Sequence, residues 1–164
     1  MLTQQRLKEA LDYDPETGIF TRRHVKIKNG MSTLSGRKAG YINPIGYVVF
    51  SVDGVNYLAH RLAWMYVTGE WPPQHTDHIN GIRHDNRWCN LRVATPTQNY
   101  ANAPRKSSNT SGFKGVSLHG KKWRARIRWN GKYLSIGSFD TKEEAQMAYA
   151  EAAQRYYGEF ARFE

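Results

Sequence analysis

Hydrophobic positions recur with two different periods along the first part of the chain, and each period predicts a kind of element. Residues 4–12 carry an apolar stripe at helical spacing, and so do residues 60–68, which Gly69 ends. Between these predicted helices, short apolar runs separated by turn signals predict an antiparallel sheet over residues 13–59. Its clearest hairpin signal is Asp53-Gly54, a pair that favours a tight two-residue turn. We therefore predict an α+β fold.

The last third of the chain has the most regular pattern. In residues 122–129, apolar and basic side chains alternate without a fault, which predicts a strand with one apolar and one cationic face. Further strands are predicted over 113–118 and 132–139, and Asn130-Gly131 indicates a hairpin between the last two. A capping box then begins a helix predicted over 141–157. Its inward stripe consists of alanines and tyrosines: Ala145, Ala148, Tyr149, Ala152 and Tyr156. The prediction is a three-stranded antiparallel sheet packed on one helix.

A change of composition predicts two domains. Residues 103–112 are small and polar and have no periodicity, which is typical of a flexible linker. The predicted domains are therefore 1–102 and 113–164. Two basic residues of the linker, Arg105 and Lys106, are candidate phosphate contacts.

The charge of the chain indicates its class of partner. Lys and Arg total 24 against 14 Asp and Glu, which gives a formal net charge of +10 and a pI near 9.8. Such an excess favours a polyanionic partner, with nucleic acid ahead of a membrane. One basic run is open to two interpretations, a solvated loop or a set of phosphate contacts: Arg22, Arg23, Lys26 and Lys28.

Cysteine content and hydropathy exclude several other classes. The single cysteine, Cys89, excludes an intrachain disulfide and a multi-cysteine zinc site, and we predict that it is a small buried residue. No apolar run is long enough to span a membrane, and the N-terminus lacks the apolar core of a signal peptide. An intracellular, cytoplasmic protein is expected.

One polar stretch carries more chemistry than a core or a turn requires. Asp77 stands beside His78, a turn centred on Gly81 follows, and two asparagines come later at Asn90 and Asn99. Carboxylate and amide oxygens suit Mg²⁺, and an imidazole can take a proton from water near neutral pH. Hydrolysis of a phosphodiester needs both functions. The alternative is a polar hairpin whose residues simply form turns.

Those residues and their spacing resemble the active-site motif of the HNH endonucleases, in particular the subgroup of phage- and intron-encoded homing nucleases. The resemblance implies that Asp77 and Asn99 bind one divalent cation, Mg²⁺, for which Mn²⁺ can substitute. It implies that His78 is the general base and that Asn90 holds the loop between two strands. It also implies a ββα-metal core over residues 75–102.

Residues around this motif have two interpretations. His60 and Arg61 are either active-site or phosphate neighbours or the structural cap of the helix that begins there, and we favour the cap. Three motif residues are interpreted as turn or surface residues: His84, Asp85 and Asn86.

The C-terminal pattern resembles the ethylene-response-factor (Apetala-type) DNA-binding domain. The resemblance is carried by residues 113–116, 123–128, 136–145 and 148–149. It implies that one face of the sheet contacts double-stranded DNA, where arginine can read guanine. The implied contacts are Lys114, Ser117, His119, Arg124, Arg126, Arg128, Tyr133 and Ser135.

Together the two resemblances imply a metal-dependent, sequence-directed DNA endonuclease of the homing type. As a monomer with one active site it is expected to nick one strand, leaving 5′-phosphate and 3′-hydroxyl ends, in the host cytoplasm if a phage encodes it. Two alternatives remain: a DNA-binding regulator with a silent nuclease motif, and an RNA-binding or structural basic protein.

Overall fold

The structure is a computed structural model, and it describes residues 1–23, 26–27, 30–31, 36 and 38–163. Lys28 of the basic run and the start of the strand predicted at Arg37 lie outside the described residues. The chain divides into two compact units, Met1–Val93 and Ala94–Glu164.

The first unit alternates short strands with two helices. In chain order its elements are α1 (Gln4–Ala10), β1 (Leu11–Asp14), β2 (Ile19–Arg22), β3 (Lys26–Ile27), β4 (Gly30–Met31), β5 (Tyr41–Ile42), β6 (Val48–Val52), β7 (Val55–Leu58), α2 (Ala59–Thr68), β8 (His75–His78) and β9 (Leu91–Ala94), with a 3-10 turn at Trp88–Asn90. Strand β9 runs across the division between the units. The predicted helices are present, and α1 ends earlier than predicted because β1 begins at the next residue.

The strands before α2 form several small antiparallel sheets where one sheet was predicted. Strands β1 and β2 pair, β3 and β4 pair, and β5, β6 and β7 form a three-stranded sheet. The predicted hairpin turn is present: Asp53 (φ 49°) and Gly54 (φ 79°) both adopt positive φ, as a type I′ turn requires.

The core of the first unit is aromatic. The Phe20 ring is 1 % exposed and lies 4.6 Å from the ring of Tyr13 and 4.9 Å from that of Phe50, centroid to centroid. Helix α2 adds Leu62, which is fully buried. Each tilted aromatic pair contributes about 0.5–1.5 kcal/mol beyond its area burial. This core fixes the β1–β2 hairpin within the first unit.

The second unit is a sheet on a helix, as predicted. Its elements are α3 (Pro96–Asn102), β10 (Val116–His119), β11 (Lys122–Trp129), β12 (Lys132–Phe139) and α4 (Lys142–Tyr157), followed by a 3-10 turn at Gly158–Phe160. The sheet is antiparallel with order β10-β11-β12. The bounds of β11, β12 and α4 match the prediction, because alternation and a capping box are local signals.

The buried stripe of α4 differs from the predicted one. Its buried residues recur every four positions: Ala145, Tyr149, Ala153 and Tyr157. The predicted Tyr156 is instead 37 % exposed, whereas Tyr157 is 6 % exposed and its hydroxyl donates to the backbone oxygen of Arg128. A buried tyrosine needs a hydrogen-bond partner, and position 157 has one. Ala148 and Ala152 flank the stripe and are half-buried.

Strand β12 contains a bulge that the sequence did not reveal. Ala125 pairs with Gly137, but the next residue, Arg126, pairs with Ser135, so Ile136 is the extra residue. Beyond the bulge, the alternation of side chains between the two faces of β12 is shifted by one residue. Ser138 therefore lies opposite Arg124, on the cationic face of the sheet.

The predicted linker is tied into the second unit. Lys114 donates from its ammonium to the backbone oxygens of Ala101 and Ala103. The Ser111 hydroxyl donates to the oxygen of Val116 at 2.8 Å. The two compact units thus divide before α3, whereas the sequence predicts a boundary after it, and the domain limits 1–102 and 113–164 stay a prediction. Among the described residues, no helix combines the length and apolar character needed to cross a membrane.

Candidate active site and nucleic-acid interface

The candidate active site begins at the β8–β9 hairpin. Asp77 and His78 end strand β8 and are 6 % and 4 % exposed. The Asp77 carboxylate accepts from Arg92 Nε of β9 at 3.1 Å. Both charges are largely buried, so each offsets part of the cost of burying the other. The arrangement places an oriented carboxylate next to an imidazole.

The His78 ring faces a buried amide. Its Nε2 lies 3.2 Å from Oδ1 of Asn86, which is 2 % exposed. The other end of that amide, Nδ2, donates to the backbone oxygen of His84 at 3.2 Å. Because the NH₂ group is bonded to an acceptor, the oxygen faces His78 and accepts a hydrogen bond from Nε2–H. In a neutral ring this leaves Nδ1 as the proton acceptor.

Burial lowers the pKa of His78 below its ordinary value, and the hydrogen bond to Asn86 works against that decrease. The interpretation of Asn86 as a turn or surface residue was wrong. No local pattern distinguishes it from His84, which is exposed as predicted. The difference arises from contacts with a distant part of the chain.

Those contacts come from the N-terminal hairpin. The Tyr13 hydroxyl donates to the backbone oxygen of Asn86 at 2.7 Å, and Trp88 N donates to Pro15 O at 2.9 Å. Gly18 has a φ of +70°, and a Cβ there would lie 2.4 Å from the backbone of Asn86 and Arg87. The turn between β1 and β2 therefore packs directly against the loop that holds His78 in place.

The loop itself is closed by Asn90. Its Nδ2 donates to Asp85 O at 2.8 Å and to Asn80 Oδ1 at 3.1 Å, and its Oδ1 accepts from Asn80 N at 3.0 Å. The Asp85 carboxylate accepts from Asn80 and from Arg87, and the Arg87 guanidinium is the main reason that its pKa is lowered to about 2. Asp85 is thus part of the network and more than a surface residue.

Cys89 is exposed, contrary to prediction, within the 3-10 turn whose last residue, Asn90, is buried.

A second imidazole lies beside the first. The ring centroid of His60 is 5.0 Å from that of His78, edge to face, and Tyr47 lies 5.2 Å from His60. His60 is 5 % exposed, and its Nδ1 has no hydrogen-bond partner among the described residues. Burial is the main cause that lowers the pKa of His60 to about 3, so its ring is neutral.

The cap interpretation of His60 and Arg61 was wrong. The N-cap of α2 is Leu58, which makes no side-chain cap bond, so both residues lie in the first turn of the helix. The Arg61 guanidinium stands 5.8 Å from the ring centroid of Trp71. A phosphate contact by either residue stays a prediction.

Asn99 belongs to the second unit. It is a half-buried residue of α3, whose first turn is fixed by a capping box between Thr95 and Gln98. Asp77, His78 and Asn90 belong to the first unit, so the pairing of Asp77 with Asn99 stays a prediction. Within the described part of the chain, no three His, Cys, Asp or Glu side chains are grouped to hold a metal ion. A carboxylate and an amide still fit a cation such as Mg²⁺, which keeps several waters and binds phosphate oxygens.

The candidate nucleic-acid interface is the sheet face that points away from α4. Cross-strand neighbours share a face, and Arg124 pairs with Ser117 and Ser138, while His119 pairs with Lys122. The remaining pairs are Arg126 with Ser135 and Arg128 with Tyr133. All the predicted sheet residues therefore share one face with Lys122, which the alternation in the sequence already predicted for the cationic face, and the structure adds Ser138 to it.

The arginines of this face are held by tyrosine rings. The Arg126 guanidinium lies 5.3 Å from the ring centroid of Tyr133, and that of Arg128 lies 5.0 Å from the ring of Tyr100 on α3. Burial, and after it a hydrogen bond with Tyr133, raises the pKa of Tyr100, so the Tyr100 hydroxyl stays protonated. Arg124 Nε is buried and has no acceptor among the described residues. The sequence did not reveal Tyr100, because it precedes the strand pattern.

Lys114 does not lie on this face as an exposed cation. It is 9 % exposed, and its ammonium binds the C-terminal end of α3 through Ala101 and Ala103. Burial is the main cause that lowers its pKa to about 8, with a contribution from Arg162. A positive charge at the carbonyl end of a helix is favourable. The structure thus supports a structural role for Lys114, and its DNA contact stays a prediction.

Comparison with known proteins finds a family match for each of the two regions that carry these residues. A family model described as HNH endonuclease matches residues 57–101, and one described as AP2 domain matches residues 111–159. Protein 3.8 of Escherichia phage T7 is 34% identical over 107 residues, which are 63% of this chain and 88% of that protein. An uncharacterised HNH endonuclease of Acanthamoeba polyphaga mimivirus is 33% identical over 123 residues, which are 74% of this chain and 64% of that protein.

Proposed function

Because the chain belongs to the HNH endonucleases and carries an AP2 DNA-binding domain, we propose that it is a metal-dependent, sequence-directed endonuclease acting on double-stranded DNA. The observation that carries the proposal is the buried His78, whose Nε2 faces the fixed oxygen of Asn86. A base whose orientation is fixed in advance is what attack by water on a phosphodiester requires.

His78 acts as the general base. Its Nδ1 accepts a proton from the attacking water, and the water oxygen forms the new bond to phosphorus as the bond to the 3′ oxygen breaks. The 3′ oxygen leaves and takes a proton from solvent. The products are a 5′-phosphate and a 3′-hydroxyl.

Asp77 and Asn99 hold one divalent cation, Mg²⁺ or Mn²⁺, which when bound neutralises charge on the phosphate and the leaving oxygen. Arg92 orients the Asp77 carboxylate from the neighbouring strand. A carboxylate has about four lone-pair sites, so a bond to arginine leaves acceptor capacity for a cation.

Two asparagines position the base. Asn90 bonds both sides of the loop between Asn80 and Asp85, and Asn86 selects the ring nitrogen that faces the water. The neutral His60 ring packs against His78 and keeps water from its edge. The AP2-type sheet supplies target selection. A monomer with one such site nicks one strand of duplex DNA, in the manner of a homing enzyme.

The test is relaxation of supercoiled plasmid in Mg²⁺ by the wild type, His78→Ala and the matched control His84→Ala, whose histidine is exposed. We expect nicked circles from the wild type and the control. His78→Ala should cut about 10²–10⁴-fold more slowly. EDTA should stop all cutting, and end-labelling should find 5′-phosphates. Equal cutting by His78→Ala would remove His78 from the mechanism.

A further inference from the structure

A cleft of 320 Å³ opens in the second unit beside the cationic face of the sheet. One wall is the segment that follows α3, including Arg105, Lys106 and Ser108. The other wall is formed by strand residues, among them Ser117, Arg126 and Tyr133. The cleft is therefore continuous with the face that carries the candidate DNA contacts.

The chemistry of the lining suits an anion. Arg105, Lys106 and Arg126 supply positive charge, and no acidic side chain lines the cleft within the described part of the chain. The sequence from Ala94 to Phe139 contains nine Lys and Arg residues and no Asp or Glu. The acids of the second unit follow that stretch. Such a one-sided distribution focuses a positive potential on the cleft and the sheet face.

Hydrogen bonds give the wall a defined shape. Asn109 donates from Nδ2 to Phe113 O at 3.0 Å and accepts at Oδ1 from Gly112 N at 3.0 Å, while Arg105 Nη1 donates to Asn109 O at 3.3 Å. On the opposite side, Tyr133 fixes the Arg126 guanidinium by stacking. The cations are thus presented on a structured loop, where less ordering is needed to bind a ligand.

Neither family match covers this wall. The HNH match ends at residue 101 and the AP2 match begins at residue 111, so the segment between them is assigned to neither function. We propose that the cleft binds the sugar-phosphate backbone of a DNA strand, next to the bases that the sheet reads. This inference rests on the proposed function, because it requires that the sheet bind duplex DNA. Arg105, Lys106 and Arg126 contact phosphate and fix the register of the protein on the duplex.

The experiment measures the salt dependence of DNA binding by the full chain. A fluorescein-labelled duplex of random sequence is titrated in EDTA, which prevents cleavage, over a series of KCl concentrations. The variant is Arg105→Ala/Lys106→Ala, in which both side chains are exposed. Its matched control is Lys142→Gln/Arg155→Gln, which removes the same charge from α4 on the other side of the sheet.

Loss of phosphate contacts should reduce the slope of log K against log[salt] by about 1 to 2 in the cleft variant, because each contact contributes about 0.9. Binding at low salt should weaken correspondingly. The control should keep the wild-type slope, and its affinity should change little because its charges lie away from the cleft.

Three results would overturn the inference. An unchanged slope in the cleft variant, with steep salt-dependent binding by the wild type, would refute the cleft and leave the proposed function intact. Equal losses in variant and control would attribute the effect to net charge alone. Inorganic phosphate that binds the wild type but not the variant, and leaves the affinity for the duplex unchanged at constant ionic strength, would assign the cleft to a small free phosphate. Absence of DNA binding by the wild type would instead refute the proposed function.

Discussion

The polar side chains of the two units are held in opposite ways. In the loop that positions the candidate base, Asn86 and Asn90 are buried, and their amides bond to backbone and side chains that surround them. On the sheet, Arg126 and Arg128 are stacked on tyrosine rings and keep hydrogen-bond donors available for a ligand. A base that must face one water needs a fixed orientation, whereas a surface that reads DNA needs accessible donors. The candidate site of the first unit therefore depends on buried polar groups in fixed positions, and the sheet face of the second unit depends on accessible positive charge.

The prediction with the largest expected effect tests whether the nicking rate depends on the orientation of the His78 ring, which the loop fixes. Asn86→Ala removes the acceptor that faces His78 Nε2, and we expect kcat for nicking to fall about 100-fold with KM nearly unchanged, because a small misplacement of the base is costly. ¹⁵N NMR of the His78 ring should show Nε2 protonated in the wild type and a mixture of tautomers in the variant. His84→Ala, which removes an exposed neighbour, should be near wild type. A parallel rise in KM with unchanged tautomers would indicate a general structural defect.

The next effect tests whether recognition is separable from catalysis. Arg128→Ala should weaken binding to a target selected from a random library by about 1–3 kcal/mol, because Arg128 lies on the cationic face of the sheet, the candidate nucleic-acid interface. The nicking rate of the bound complex should not change. Arg155→Ala, on α4, removes an equal charge and is the control. A lower rate at saturating DNA would show that the sheet also takes part in the chemistry.

A pair of glycine variants compares support of the loop with simple backbone strain. Gly18 and Gly54 both have positive φ, so backbone strain alone should cost alanine about 1–2 kcal/mol in the free energy of unfolding at either position. Only Gly18→Ala also meets the backbone of Asn86 and Arg87, so its cost should be larger, and it alone should slow nicking as well. Urea denaturation and the plasmid assay measure the two quantities. Equal nicking rates would show that the N-terminal hairpin does not position the loop.

The smallest effect concerns pH. His60 has a folded pKa of about 3, below its ordinary value of 6.5, so the unfolded chain binds more protons between these values. Its contribution to stability is therefore complete above pH 6.5 and is lost as pH falls towards 3. The slope is at most about 1.4 kcal/mol per pH unit, and His78 adds in the same direction. His60→Leu should show a shallower decrease between pH 7 and pH 5 in urea denaturation. A slope equal to that of the wild type would contradict the burial of a neutral ring.

Much of the second unit could be predicted, because the sequence signals for its strands, hairpin and helix are local. Alternation defined strand β11, Asn130-Gly131 defined its hairpin, and the capping box at Thr141 defined the start of α4. The bulge at Ile136 could not be predicted, since it depends on how two strands pair. The buried stripe of α4 was partly wrong for a related reason: a hydroxyl partner across the sheet selects Tyr157 over Tyr156.

Only part of the candidate active site could be predicted from the sequence. The neighbouring Asp77 and His78, with asparagines at fixed distances, were sufficient to indicate a nuclease motif. Asn86 was taken for a surface residue because its decisive contact, with Tyr13, spans 73 positions of the chain. His60 was taken for a cap because its contact with the His78 ring is equally remote from any local pattern.

The sequence by itself determined the chemical inventory: the basic excess, the spaced acid, imidazole and amides, and the periods that build each element. These depend on residue identity and on neighbours a few positions away. Only the tertiary structure decided which polar groups are buried and which way they face, turning Asn86 inward, Cys89 outward and Lys114 onto the end of α3. The physical reason is that a buried polar group must find its partner wherever the fold brings one, and periodicity carries no record of that partner.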